Sequence, residues 1–202
     1  MDPDFNFLIQ DDVSGLDPVM HQYYHQMNDN RTLILNTEID ERIVEMIYLP
    51  MRDWENDSDT RPVTLILNSQ GGCVSDGFFL AQYISQYKKP LHIIVPGYAA
   101  SMAAVILAGG GNNENVTRFC FPSTYALIHD GYVALSASEA KTANDIMAFN
   151  NKVDEDIRKF IIDNTNITAE EYDTHARHQW FLSADEMKKY NLVDKIYGVD
   201  TE

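Results

Sequence analysis

The chain has 202 residues, 45% of them hydrophobic, and a formal net charge of −16 at pH 7. Its length and apolar content predict one globular domain with a sizeable core. The negative charge argues against nucleic acid or an anionic membrane as a partner, because both would repel the chain. The two cysteines lack CxxC spacing, no apolar run is long enough to span a membrane, and the N-terminus has no basic segment. A reducing, cytoplasmic location is therefore expected.

Hydrophobic periodicity divides the chain into a polar arm, residues 1–30, and a single patterned domain, residues 31–202. The arm is rich in Asp, Asn and Gln and is expected to be flexible. Strands are predicted over 32–36, 63–68, 91–95, 115–121, 123–129 and 192–199. Helices are predicted over 38–55, 75–87, 102–108 and 136–164, and two shorter helices are predicted to begin at Thr168 and Ser183. The alternation predicts an α/β fold with right-handed crossovers.

Three helix starts carry a capping-box pattern, in which a Ser or Thr is followed three residues later by Glu. The pairs are Ser136 with Glu139, Thr168 with Glu171, and Ser183 with Glu186. In such a pair the hydroxyl and the carboxylate each accept a hydrogen bond from a backbone N–H group of the other residue. The pattern therefore predicts where each helix begins.

Three features in the middle of the chain have the residue types that acyl transfer requires. Gly71 and Gly72 follow a strand, where their N–H groups can face an oxyanion, although such pairs also form ordinary turns. Ser101 stands between an apolar strand and an apolar helix, whose N-terminus favours developing negative charge. By itself Ser101 is either a small core residue or a nucleophile. His129 ends a strand and, beside a nucleophile and two amide donors, would supply the base.

Four blocks of sequence contain these features: LILNSQGGCVSDG, GYAASMAAVILAGG, RFCFPSTYALIHD and WFLSADEMKKYNLVDKI. In order and separation they resemble the four blocks of the Clp protease proteolytic subunit, ClpP. The resemblance spans residues 31–197 and implies a crotonase-like spiral of ββα units, with a protruding handle helix over residues 130–164. Residue by residue, it implies that Ser101 is the nucleophile, His129 the general base, and Gly72 and Met102 the oxyanion-hole amides.

The resemblance also implies an assembly and its partners. Two seven-membered rings of identical subunits stack through the handles to form a tetradecamer around a proteolytic chamber. The implied substrates are peptides and unfolded proteins, an AAA+ unfoldase docks on the ring, and no cofactor or metal is involved. The strand before the glycines carries Thr64 and Ile66 where the family has an aromatic pair that helps to form the dock. This chain therefore departs from the family at that surface.

The third member of the catalytic triad also departs from the family. The family has Asp two residues before the FLSA block, and the aligned residue here is Gln179. An amide can orient His129 but cannot stabilise its imidazolium by charge, and this change in a serine protease costs about 10⁴ in kcat. We therefore expect weak peptidase activity or a different orienting group, for which Asp173 is the second candidate. Asp130, adjacent to His129, is expected to point away.

Three functions follow as hypotheses. The first is a self-compartmentalising serine endopeptidase with an acyl-enzyme at Ser101. The second is a weak or inactive structural subunit in a mixed ring with active paralogues, which Gln179 favours and which the retained Ser101 and His129 oppose. The third is a crotonase-type acyl-CoA enzyme whose glycine-rich amides polarise a thioester, and the pairing of Ser101 with His129 argues against it.

Overall fold

The computed structural model describes residue 25, residues 27–130 and residues 143–201 of the chain. In the first half of the domain the elements are β1 Thr32–Leu35, α1 Leu49–Asn56, β2 Val63–Leu67, α2 Val74–Ser85, β3 Leu91–Val95, β4 Tyr98–Ala100 and α3 Met102–Ala108. They are followed by β5 Val116–Cys120, β6 Tyr125–Ile128, α4 Ala143–Asn164, α5 Ala169–His175, β7 Trp180–Ser183, α6 Ala184–Lys189 and β8 Lys195–Ile196. The predicted alternation of strands and helices is confirmed.

The larger sheet has five parallel strands in the order β1-β2-β3-β5-β8. In β2, β3 and β5, fully buried positions alternate with half-buried ones, so both faces are at least partly covered, as is usual for a parallel sheet. The side chains of Leu65, Leu67, Ile93 and Val95 are all fully buried, and each contributes about 1.5–3 kcal/mol. This core holds the turns at the carboxyl ends of β2 and β3 in place.

A smaller sheet places the predicted nucleophile and base side by side. Its strands have the order β4-β6-β7, with β4 parallel to β6 and β6 antiparallel to β7. Ser101 comes directly after β4 and His129 directly after β6. Because neighbouring parallel strands end at the same edge of a sheet, the residues that follow them lie close together.

The helix predicted over 38–55 begins later in the structure. Ile39 instead forms a bridge with the glycine turn: its N–H donates to Gly71 O (2.9 Å), and Cys73 N–H donates to Ile39 O (2.8 Å). A π-helical segment at Val44–Tyr48 follows and continues into α1. The prediction was wrong for the first residues because their backbone is engaged by a segment that is remote in sequence.

The strand predicted over 192–199 is reduced to the two residues of β8. Leu192 N–H still donates to a backbone carbonyl of α6 (2.7 Å), and the Asp194 carboxylate is bound by Arg118. Gly198 then turns the chain with a φ of 75°. Contacts at both ends therefore shorten a segment whose apolar pattern by itself resembles a strand.

The capping boxes predicted at Thr168 and Ser183 are confirmed. Each hydroxyl accepts a hydrogen bond from the backbone N–H of the Glu three residues later, and each Glu accepts one in return from the backbone N–H of the cap residue. The third predicted box, at Ser136, lies outside the described residues. So do residues 1–24 of the predicted arm and residues 131–142 of the predicted handle, of which α4 is the described part.

Candidate active site

Ser101 occupies a sharp turn between β4 and α3, with a φ of 55° and a ψ of −123°. Non-glycine residues rarely adopt a positive φ, and the strain costs about 1–3 kcal/mol. Two hydrogen bonds hold the turn: Ser101 N–H donates to Leu127 O (2.8 Å), and Ala100 N–H donates to Ser69 O (2.9 Å). The fold thus stabilises a strained backbone at the predicted nucleophile.

The turn after β2 runs directly beside Ser101. Ser69 anchors this turn, because its Oγ donates to a backbone carbonyl after β1 (2.5 Å) and accepts from Gly71 N–H (3.1 Å). Gly71 has a φ of 97°, and a Cβ built on it would lie 2.7 Å from Ser101 Cβ and 2.9 Å from Met102 N. Only a glycine allows so close an approach. The approach brings the Gly71–Gly72 peptide next to the predicted nucleophile.

Two backbone N–H groups at this turn have no hydrogen-bond acceptor within the described part of the chain. Met102 is the first residue of α3, so its N–H has no partner within the helix. Gly72 N–H, on the adjoining turn, also donates no hydrogen bond there. A Cβ on Gly72 would lie 2.3 Å from Ile39 O, so only glycine fits at this position too. Such amides can stabilise an oxyanion on the substrate.

The ring of His129 is oriented by the main chain. Its Nδ1 lies 2.7 Å from the backbone oxygen of Asp130. A carbonyl oxygen only accepts hydrogen bonds, so Nδ1 carries the proton in this contact. In the neutral ring Nε2 then has the lone pair, which is the tautomer that a base toward a serine hydroxyl requires. Sequence reasoning considered only side chains as orienting groups, and no sequence signal marks a main-chain carbonyl.

Ser101, Met102 and His129 line one cavity. Its other lining residues are mostly apolar: Val74, Val105, Ile128, Ile157 and Ile161, together with Asp154 and Tyr172. The volume of about 40 Å³ is sufficient for a small number of water molecules. Within the described residues Ser101 Oγ makes no hydrogen bond, and such bonds often tighten only when substrate binds. The structure therefore brings the predicted nucleophile and base to one cavity.

Neither residue predicted as an orienting group lines this cavity, although Gln179 directly precedes Trp180, which pairs with Ile128 next to His129. Gln179 is exposed in the segment before β7 and is not among the described residues that line the cavity. Asp173 is also exposed, and both of its oxygens are bound by Arg158, at 2.7 Å from Nε and 2.8 Å from Nη2. The hydrogen bond from Arg158 holds the pKa of Asp173 below its ordinary value. A role of either residue toward His129 stays a prediction.

Sequence reasoning missed one acidic residue of the cavity. Asp154 lies in α4, about one turn before Ile157 and two turns before Ile161, and all three line the cavity. Burial raises the pKa of Asp154, and the negative charge of Asp130 adds to the effect. The signal in the sequence is an acidic residue in phase with a buried apolar stripe.

Comparison with known proteins places this chain in a family. The sequence model described as Clp protease matches residues 16–200. The chain is 31% identical over 170 residues to an ATP-dependent Clp protease proteolytic subunit of Cyanophora paradoxa, and the match covers 83% of this chain and 84% of that protein. This chain belongs to the Clp protease family.

A solved structure confirms the ClpP-type fold. A mutant of ClpP1 from Listeria monocytogenes matches this chain with a TM-score of 0.69 at 24% sequence identity, covering 86% of this chain and 95% of that one. At this identity the likeness concerns the fold, and it agrees with the predicted crotonase-like α/β architecture. In the described ranges of this ClpP-type chain, no helix has the length and apolar character needed to cross a membrane.

Proposed function

We propose that this ClpP-type subunit is a serine endopeptidase that forms an acyl-enzyme at Ser101. The proposal is supported by one arrangement: a serine strained to a φ of 55° and a histidine whose Nδ1 faces a carbonyl share a cavity beside two amides. Within the described ranges these amides, of Gly72 and Met102, have no acceptor. Acyl transfer requires a nucleophile, a base in the correct tautomer and an oxyanion hole, and these groups supply all three.

In the proposed reaction, Ser101 Oγ attacks the carbonyl carbon of the scissile peptide bond while its proton passes to Nε2 of His129. The oxyanion accepts hydrogen bonds from the N–H groups of Gly72 and Met102. The C–N bond then breaks, and the imidazolium gives its proton to the departing amine. A water molecule, deprotonated by the same ring, hydrolyses the acyl-enzyme and releases Ser101.

We assign the orientation of His129 in this reaction to the Asp130 carbonyl, which is supported by the 2.7 Å contact. A neutral carbonyl selects the tautomer but contributes no full charge, so slower turnover than that of a complete triad is expected. Gln179→Asp tests the alternative assignment. If residue 179 orients the ring, kcat rises by as much as about 10⁴-fold, whereas a change below about twofold supports the carbonyl.

The assembly is part of the same proposal. Family membership supports two stacked seven-membered rings of identical subunits around a chamber, with α4 in the handle and residues 31–202 as one domain. Met147 and Phe149 on α4 are 53% and 67% exposed, which supports a contact of this helix with another subunit. The proposed substrates are peptides and unfolded proteins delivered by an AAA+ unfoldase. Both cysteines are free, which supports a reducing, cytoplasmic location.

A weak or inactive structural subunit in a mixed ring is the second candidate function. It is favoured by the exposed Gln179 at the position where the family has Asp. Such a subunit would contribute its handle and its surfaces to the ring, and active paralogues would carry out the cleavage.

Reaction of the assembled full-length protein with a fluorophosphonate separates the two candidates. Ser101 Oγ would displace fluoride from phosphorus, so mass analysis should find the adduct on Ser101, and Ser101→Ala should lose both the adduct and hydrolysis of a fluorogenic peptide. Ser123→Ala, at an exposed serine before β6, is the matched control. Absence of labelling at every pH between about 6 and 9 contradicts the endopeptidase and supports the structural subunit.

A further inference from the structure

Asp154 is the acidic residue of the cavity that the proposed reaction does not use. It is half-buried, and within the described residues it accepts no hydrogen bond and pairs with no Lys or Arg. Its neighbours on α4 differ, because Asp156 pairs with Lys152 at 3.1 Å and Asp163 pairs with Lys159. A half-buried carboxylate without a cation is costly. It therefore calls for a physical explanation.

Asp154 lies between two cavities, and their lining residues limit which positive charge can offset its carboxylate. It lines the cavity of Ser101 and His129 and also an adjoining cleft, whose other lining residues are Asp130, Asn151, Glu155, Arg158, Tyr172, Asp173 and Arg177. In this cleft Arg158 is already bound to Asp173 at 2.7 Å and to Glu155 at 3.5 Å, and Arg177 forms no ion pair with Asp154 among the described residues. On the other side, the cavity contains one group that gains a positive charge during the proposed reaction, the ring of His129.

The charges around Asp154 also favour an interaction with a cation. Burial raises the pKa of its carboxyl, and the negative charge of Asp130 adds to the effect, so ionised Asp154 is destabilised in its surroundings. A positive charge that forms in the same cavity relieves this destabilisation. Interactions between charges are stronger in a partly desolvated cavity than in water and do not require direct contact.

We propose that Asp154 is a positioning residue that stabilises the imidazolium of His129 while Ser101 is acylated. This inference rests on the proposed function. In the family the negative charge comes from an Asp near the last block of sequence, whereas here it would come from α4. Two groups then carry out the two functions of the family's Asp: the Asp130 carbonyl selects the tautomer, and Asp154 supplies the charge.

Three variants of the full-length assembled protein test the proposal. For each, we would measure the rate of fluorophosphonate labelling and the kcat and KM for a peptide. Asp154→Asn keeps the shape and removes the charge, and it should lower the labelling rate and kcat by about 10- to 100-fold with little change in KM. Asp154→Glu keeps the charge and should retain the rate within about threefold. Asp156→Asn, at an exposed residue on the same helix, is the control and should match the wild type.

The order of the two Asp154 variants distinguishes charge from packing. If Asn is tolerated and the longer Glu is not, the role of Asp154 is shape, and the proposal is overturned. Equal losses in both variants, with normal assembly and melting temperature, also overturn it.

A measurement that does not depend on turnover tests the coupling directly. In protein labelled with ¹³C at the aspartate carboxyls, the signal that disappears in Asp154→Asn identifies Asp154. Loss of the ring in His129→Ala should raise the pKa of Asp154 further, because in acid a histidine ring carries a positive charge that favours the ionised carboxylate, while the groups of the cleft remain. An unchanged titration overturns the inference, whereas absence of Ser101 labelling would instead refute the proposed function.

Discussion

Arg118 and Ser101 each lie beside polar groups, but the two regions differ in how completely those groups are paired. Arg118 is a residue of β5, and its fully buried side chain contacts the segment after α6. Its guanidinium donates to Asp194 from Nε (3.1 Å) and Nη2 (2.8 Å), and to Asn191 from Nη1 (2.7 Å) and Nη2 (2.8 Å). The Arg118 cluster, these three residues, therefore satisfies its charge within the protein.

The region of Ser101 has the opposite character. The serine has a strained backbone, the described residues offer no acceptor to the N–H groups of Gly72 and Met102, and Asp154 has no cation there. Each of these features costs stability, and each matches a group that appears only when a substrate reacts: an attacked carbonyl, an oxyanion or an imidazolium. The contrast teaches that unsatisfied groups can mark a functional site as clearly as the identity of its residues.

The largest expected effect on stability lies in the Arg118 cluster. Asp194→Ala leaves a buried guanidinium without its carboxylate and should lower the free energy of unfolding by about 3–5 kcal/mol. Asp163→Ala breaks an exposed ion pair with Lys159 and should cost less than about 1 kcal/mol. Urea unfolding monitored by circular dichroism measures both. Equal costs would contradict the conclusion that the buried Arg118 depends on its pairing with Asp194.

A smaller effect, in this case a gain in stability, is expected from glycine at position 101. Ser101→Gly relieves the strain at a φ of 55° and should leave the protein more stable than Ser101→Ala by about 1 kcal/mol, although both variants lack the nucleophile. Because both variants lack the hydroxyl, the difference between their stabilities does not include the effect of losing it. If the Ala variant is as stable as the Gly variant, the turn stores no strain and the contrast with the Arg118 cluster weakens.

The smallest effect concerns the charge of Asp154. Its pKa is raised above the ordinary 3.8 in the folded protein, so the folded state binds this proton more tightly than the unfolded state does. Stability from this group is present at low pH and is lost as the pH rises through the raised value. Asp154→Asn should therefore melt about 1–3 °C above the wild type at neutral pH, and the difference should shrink as the pH falls.

Differential scanning calorimetry at several pH values measures this trend, with Asp156→Asn as the control. A difference that is constant over pH, or that grows in acid, would show that Asp154 does not carry an unfavourable charge in the folded protein.

Local patterns predicted much of the fold. Apolar runs indicated the strands of the parallel core, and the boxes at Thr168 and Ser183 identified two helix starts, because these signals depend on residues that are close in sequence. The predictions were wrong for the start of the helix after β1 and for the length of β8. In both places a remote partner, the glycine turn or Arg118, holds a backbone or side-chain group.

By itself, the sequence determined the family, the elements other than the short strands β4 and β7, and the nucleophile and base to be tested, since four blocks of residues carry most of that information. Only the tertiary structure decided what surrounds His129. The parallel pairing of β4 and β6 sets His129 near Ser101, the ring is held by the Asp130 carbonyl, and packing of α4 brings Asp154 to the same cavity. Every residue has a main-chain oxygen, so no residue type indicates which one will bind the ring. The role of a charge on a distant helix becomes evident only when packing brings it to the site.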